Sequence, residues 1–220
     1  MKKINWTHID TVILDLDGTL IDLYFDHYFW RYHVSQYYAQ KCGISPEQSL
    51  RQLKQRYDAI EHSINWYDID FWAKELDLPL RDLLLERGPQ VQVREDVYPF
   101  LDILQHKGIR RILLTDSHPF TLEVKLKHCD LAPHFDLLLS SHQFGAPKIE
   151  QQLWHNLQKA YPFDPAKTVF IDDTEKVLDS ALQFGIAYTI GVENPDSSLA
   201  NKTFSRHISV DNYMKLVSDV

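Results

Sequence analysis

Short β-like apolar runs recur along the chain at 11–16, 110–115, 136–140, 167–172 and 186–190. Between the later runs the apolar positions change to helical spacing. Val97, Phe100, Leu101 and Leu104 share one stripe that stops at Gly108. Ile149, Leu153, Trp154 and Leu157 form a second, and Leu178, Ala181 and Leu182 form a third that stops before Gly185. A glycine just past the last periodic position is a helix stop. Strands that alternate with helices predict an α/β chain, with a Rossmann-like, mostly parallel sheet covered on both faces.

The alternation fails between about Asp22 and Arg94, where the pattern is helical and aromatic throughout. Ser45-Pro46-Glu47-Gln48 reads as an N-cap, a proline at the first helical position and a capping partner. Leu50, Leu53, Tyr57 and Ile60 continue it as one apolar stripe. The expectation is an all-helical cap over 22–94, inserted into a catalytic core formed by 1–21 and 95–220. The chain would enter the cap near Leu20–Asp22 and leave it near Gly88–Arg94.

Bulk properties narrow the partners. A hydrophobic share of 44% over 220 residues suits a packed globular protein. The N-terminal segment has no long apolar stretch, so neither a signal peptide nor a membrane span is expected. Cys42 and Cys129 have no paired spacing, which argues against a disulfide framework or zinc site and for a reducing cytoplasm. A net charge of −8 with no basic run excludes attraction to nucleic acid polymers. A small phosphorylated metabolite stays compatible, because local cations override the distant field.

The chemistry concentrates in Asp15-Leu16-Asp17-Gly18-Thr19-Leu20, directly behind Val12-Ile13-Leu14. Two carboxylates at the end of a buried strand, just before a glycine turn, suit binding a hard cation and attacking phosphorus. Metal coordination and charge neutralisation make a carboxylate nucleophile feasible. An EF-hand loop is excluded, because Gly18 falls at position four of the would-be loop and Thr19 and Leu20 occupy five and six. Three further segments end candidate strands with useful groups: Thr115-Asp116-Ser117, Gly145-Ala146-Pro147-Lys148, and Asp172-Asp173 after Val169-Phe170-Ile171. A hydroxyl, a main-chain amide and an ammonium there suit phosphate oxygens.

These four segments, in this order, resemble the four motifs of the haloacid dehalogenase superfamily, over roughly residues 10–192. The resemblance implies Asp15 as nucleophile and Asp17 as general acid and base. It implies Thr115, the Asp116 amide and Lys148 as phosphate ligands, and Mg2+ held by Asp15, the Asp17 main-chain carbonyl and Asp172. This chain departs from the family pattern in three places. Asp116 stands where Asn is common, and its side chain is expected to point away from phosphate. Ile171 replaces a common glycine. Lys176 replaces an acid, so Asp173 is expected as a supporting or alternate ligand.

An acid at Asp17 marks phosphotransfer rather than dehalogenation in this superfamily. Further matches, among them Phe25-Asp26, Tyr28-Phe29-Trp30, Asn65-Trp66-Tyr67, Arg94-Glu95-Asp96 and Asn194-Pro195-Asp196-Ser197, resemble its bacterial GMP/IMP nucleotidases. They imply hydrolysis of purine 5′-nucleotides, with Asn65, Trp66 and Arg94 as candidate substrate contacts at the cap and hinge. A sugar-phosphate phosphatase or phosphosugar mutase is the alternative within enzymes. A non-catalytic ligand-sensing module is the alternative outside them. The histidines show no metal-binding spacing.

Overall fold

The computed structural model describes residues 4–217, so the terminal residues of the expected core segments lie outside the description. Six strands form one sheet: β1 Thr11–Leu14, β2 Arg110–Thr115, β3 Leu137–Ser140, β4 Thr168–Asp172, β5 Tyr188–Val192 and β6 Ile208–Val210. Every pairing is parallel and the order is β3-β2-β1-β4-β5-β6. The strand order reverses between β1 and β4. That is the switch point at which open parallel sheets leave a crevice beyond their carboxyl ends.

The apolar runs are continuous because both faces of the sheet are covered. Val12, Leu14, Leu113, Val169, Ile171 and Ile190 pack on one side, with α6 (Val97–His106) and the helical segment that follows β1. Ile13, Ile112, Leu114, Leu139 and Phe170 pack on the other, against α8 (Gln151–Ala160) and α9 (Glu175–Phe184). Trp154 anchors this second face. It is fully buried, and its ring meets Phe170 edge-on with centroids 5.0 Å apart. Truncating such a side chain to alanine costs about 3–5 kcal/mol.

Between β1 and β2 the chain is helical: α1 Tyr24–Tyr28, a π-helical stretch Phe29–His33, α2 Val34–Cys42, α3 Pro46–Ala59, α4 Ile69–Leu76 and α5 Leu80–Arg87. The start of α3 follows its sequence signal. Gln48 N–H donates to Ser45 Oγ at 3.3 Å, and Ser45 N–H donates to Gln48 Oε1 at 3.1 Å. The expected stripe on α3 is only partly buried: Leu53 is covered, whereas Leu50 is 40% exposed. Ser49 takes the inward place, its hydroxyl donating to the Ser35 carbonyl across the α2–α3 contact.

The two connections to this helical segment run side by side. Asp22 N–H donates to the Gln92 carbonyl, Arg94 N–H donates to the Leu20 carbonyl, and Ile21 bridges to Val93 in antiparallel fashion. The last strand, β6, is not among the apolar runs of the sequence. α7 (Pro119–Lys127) is a further helix, packed against α5 of the helical segment and the turn that follows it.

Candidate active site

Asp15 follows β1 directly, and its N–H donates to the Ile171 carbonyl of β4 at 3.0 Å. Parallel pairing of β1 with both β2 and β4 then fixes where the other motifs arrive. Thr115 closes β2 and Asp172 closes β4, so all three side chains gather at one end of the sheet. Lys148 reaches the same point from the loop after β3. Its Nζ donates to Asp15 Oδ1 at 2.5 Å and to Asp172 Oδ2 at 2.7 Å, and the lysine is only 3% exposed.

The neighbouring groups hold this arrangement. Asp172 Oδ1 accepts from Thr174 N–H at 2.7 Å, which turns its other oxygen towards Lys148. Thr115 Oγ1 accepts from Ser117 N–H at 3.0 Å, leaving its own hydrogen to donate. Asp116 Oδ1 accepts from Lys148 N–H at 2.9 Å. The Asp116 carboxylate therefore pins the Lys148 backbone, which keeps its charge occupied by a main-chain donor. The Asp17 carboxylate accepts from Ser117 Oγ at 2.6 Å and from Lys125 Nζ at 2.5 Å.

Oxygens of Asp15, Asp172 and Asp173 all lie within 4.8 Å of one another. Asp173 is thus part of the acidic group, and its carboxylate also accepts from Lys202 Nζ at 3.0 Å and from Thr174 Oγ1 at 3.2 Å. Burial raises the Asp15 carboxyl well above its ordinary range; Lys148 opposes this, and Asp172, Asp17 and Asp173 reinforce it. Burial likewise pushes Asp172 up to about 6, against the pull of Lys148. Lys148 is itself driven upward: burial disfavours its charge, but Asp15, Asp172 and Asp116 outweigh it. Beside the one ammonium, the carboxylates of Asp15, Asp172 and Asp173 offer ligand atoms that are all oxygens. That donor set fits a hard divalent cation.

The segment carrying two cap candidates lies over this group. Asn65 is exposed, and Trp66 is half-buried, its ring centroid 4.7 Å from that of Tyr67. Tyr67, not singled out in the sequence, reaches furthest in. Burial first, then the Asp116 carboxylate, push its phenol well above the usual range, and Lys148, Asp172 and Asp15 also act on it. Arg94 is engaged elsewhere. Its guanidinium donates to the Asn194 carbonyl at 2.6 Å, to Asn194 Oδ1 at 2.9 Å and to the Asp211 carbonyl at 3.1 Å.

The fold also gathers histidines that have no spacing signal. His118 and His142 approach Asp68, with one ligand atom of each within 4.8 Å of the others. However, His118 Nδ1 accepts from Phe120 N–H at 3.2 Å, so in the neutral ring Nε2 carries the hydrogen and is turned towards Asp68 and Asp70. That tautomer is a donor to carboxylates, not a metal ligand.

Comparison with known proteins agrees with the geometry. The family model of haloacid dehalogenase-like hydrolases matches residues 9–185. The chain is 46% identical over 215 residues to the GMP/IMP nucleotidase YrfG of Escherichia coli (strain K12), covering 98% of this chain and 97% of that protein. Among solved structures, a HAD phosphatase from Thermococcus onnurineus superposes with a TM-score of 0.81 at 21% identity, over 96% of this chain and 97% of that one. An L-2-haloacid dehalogenase from Xanthobacter autotrophicus shares the fold at a TM-score of 0.66 and 14% identity, over 96% and 99% of the two chains.

Proposed function

The chain belongs to the haloacid dehalogenase-like hydrolases, and on that premise we propose that it hydrolyses purine 5′-nucleotides, GMP and IMP among them, to nucleoside and phosphate. The observation that supports the chemistry is one buried ammonium, Lys148, bridging Asp15 and Asp172, with the Asp17 carboxylate fixed beside them. The substrate class rests on the near full-length likeness to the nucleotidase.

In this reading the Thr115 hydroxyl, the Asp116 amide and the Lys148 ammonium hold the phosphate oxygens. The Asp15 carboxylate attacks phosphorus as the bond to the nucleoside O5′ breaks, and Asp17 gives its proton to that oxygen. Asp17 then takes a proton from water as the water oxygen attacks the aspartyl phosphate, releasing phosphate and restoring Asp15. Mg2+, held by Asp15, the Asp17 carbonyl and Asp172 with Asp173 beside them, would neutralise phosphate charge as a Lewis acid. Residues 22–94 act as the cap that excludes water, with Tyr67, Trp66 and Asn65 at its inner edge. A cytoplasmic setting fits unpaired Cys42 and Cys129; among the described residues, no helix is long and apolar enough to cross a membrane.

The test is phosphate release with Mg2+ from GMP, IMP, AMP, hexose 6-phosphates and p-nitrophenyl phosphate. The reading expects the highest kcat/KM on GMP and IMP, and loss of turnover with EDTA. Preference for a hexose phosphate overturns the substrate class. An absence of Mg2+-dependent release from every ester overturns the phosphatase itself.

A further inference from the structure

Lys125 lies in the last turn of α7 and has no exposed surface. A lysine is fully buried only when its charge is partnered, and here the partners come from two other elements. Nζ donates to Asp17 Oδ1 at 2.5 Å, and to Asp26 Oδ1 and Oδ2 at 2.7 and 2.8 Å. Asp26 belongs to α1, the first helix after the chain leaves the core. One carboxylate would have balanced this ammonium. The second, gripped through both of its oxygens, is therefore not needed to partner the lysine's charge.

We propose that Lys125 is a positioning residue for Asp17, and that Asp26 makes this positioning depend on the placement of the cap. The inference rests on Asp17 being the general acid. Ser117 Oγ grips one oxygen of Asp17 and Lys125 the other, so the carboxylate plane has no free rotation. Neither donor is the substrate; both fix where the transferable proton stands. Because the ammonium is shared with α1, displacement of that helix draws Lys125 off Asp17 and misplaces the acid before a leaving oxygen arrives. A proton positioned in this way is delivered with the cap seated.

The leaving group separates this role from a structural one. A nucleoside O5′ needs the proton as the P–O bond breaks, whereas p-nitrophenolate departs without it. The experiment measures kcat/KM on GMP and on p-nitrophenyl phosphate for wild type, Asp17→Asn, Lys125→Met and Asp26→Asn. General acid catalysis contributes roughly 100-fold or more. Lys125→Met should therefore lose about 100-fold on GMP and under about 5-fold on the aryl ester, following Asp17→Asn. Asp26→Asn keeps the shape and the lysine; it should lose about 5-fold or more on GMP alone and serves as the measurement if Lys125→Met does not fold. Equal losses on both esters in an active, folded variant overturn the positioning role. A wild type that releases no phosphate from either ester overturns the phosphatase reading instead, so the two failures are distinct.

Discussion

A methyl group on Gly18 would lie 2.9 Å from Cγ of Asp173. Gly18 also has φ +80°, so it is required twice: once for the left-handed turn after Asp17 and once for the close approach of the acidic loop after β4. Gly18→Ala should therefore displace Asp173 as well as strain the turn. The expected outcome is a loss of about 10-fold or more in turnover and a higher Mg2+ concentration for half-maximal activity. Gly43→Ala is the control, because its φ is +64° but nothing lies within 4 Å. It should cost about 1–2 kcal/mol of stability with the Mg2+ dependence unmoved. Identical metal titrations for the two variants would remove the proposed part of Asp173 in the site.

Lys148→Met removes the cation between Asp15 and Asp172 and leaves buried like charges facing one another. Turnover should fall by about 100-fold or more, the scale seen when one fixed donor to a developing charge is removed. Thermal unfolding should show the metal-free variant less stable than wild type, with a larger gain on adding Mg2+. A variant that melts at the wild-type temperature without metal contradicts this account of the charge balance.

The catalytic strands were legible because they are short, apolar and end in acids or a hydroxyl, and each lies where it was expected. Other parts were hidden for physical reasons. In α7, Phe120, Leu122, Val124 and Leu126 alternate like a strand, and only Pro119 behind the His118 cap starts the helix. Lys125 therefore reads as a solvated lysine near Lys127, although the fold buries it completely. Strand β6 is three residues long, too short to show any period. The Tyr67 position inside the site depends on how α3 and α4 turn the connection between them, which no local spacing records.

The metal-free protein should lose stability as pH rises towards neutrality. Burial, opposed by Lys125, holds Asp26 up to about 7, and burial, opposed by Lys148, holds Asp172 up to about 6, both from 3.8. Between those values the folded chain keeps protons that the unfolded chain has released, so ∂ΔG/∂pH is negative. The contribution is fully present below about pH 4 and is lost as pH passes through about 6 to 7. EDTA-treated protein should melt at a lower temperature at about pH 7.5 than at about pH 5, and Asp26→Asn should flatten part of that slope. A melting temperature that climbs across the window contradicts both shifts.

Arg94 and Trp66 should separate cleanly on substrate binding. The Arg94 guanidinium lies 5.4 Å over the Tyr213 ring while donating to Asn194 and Asp211, so it ties the connection leaving the cap to the C-terminal segment. Arg94→Ala strands those acceptors and should cost about 2 kcal/mol or more of stability, with the Michaelis constant for GMP within about 3-fold. Trp66 has no such polar tie from its side chain among the described hydrogen bonds: its ring meets those of His62 and Tyr67 and packs against the edge of the core, while its carbonyl accepts from Trp72 Nε1 at 3.0 Å. Trp66→Ala keeps that carbonyl and should raise the Michaelis constant for GMP by about 10-fold, the scale of one lost aromatic stacking contact on a base. The reverse pattern, with Arg94 moving binding and Trp66 moving only stability, would place the nucleobase at the hinge rather than under the cap.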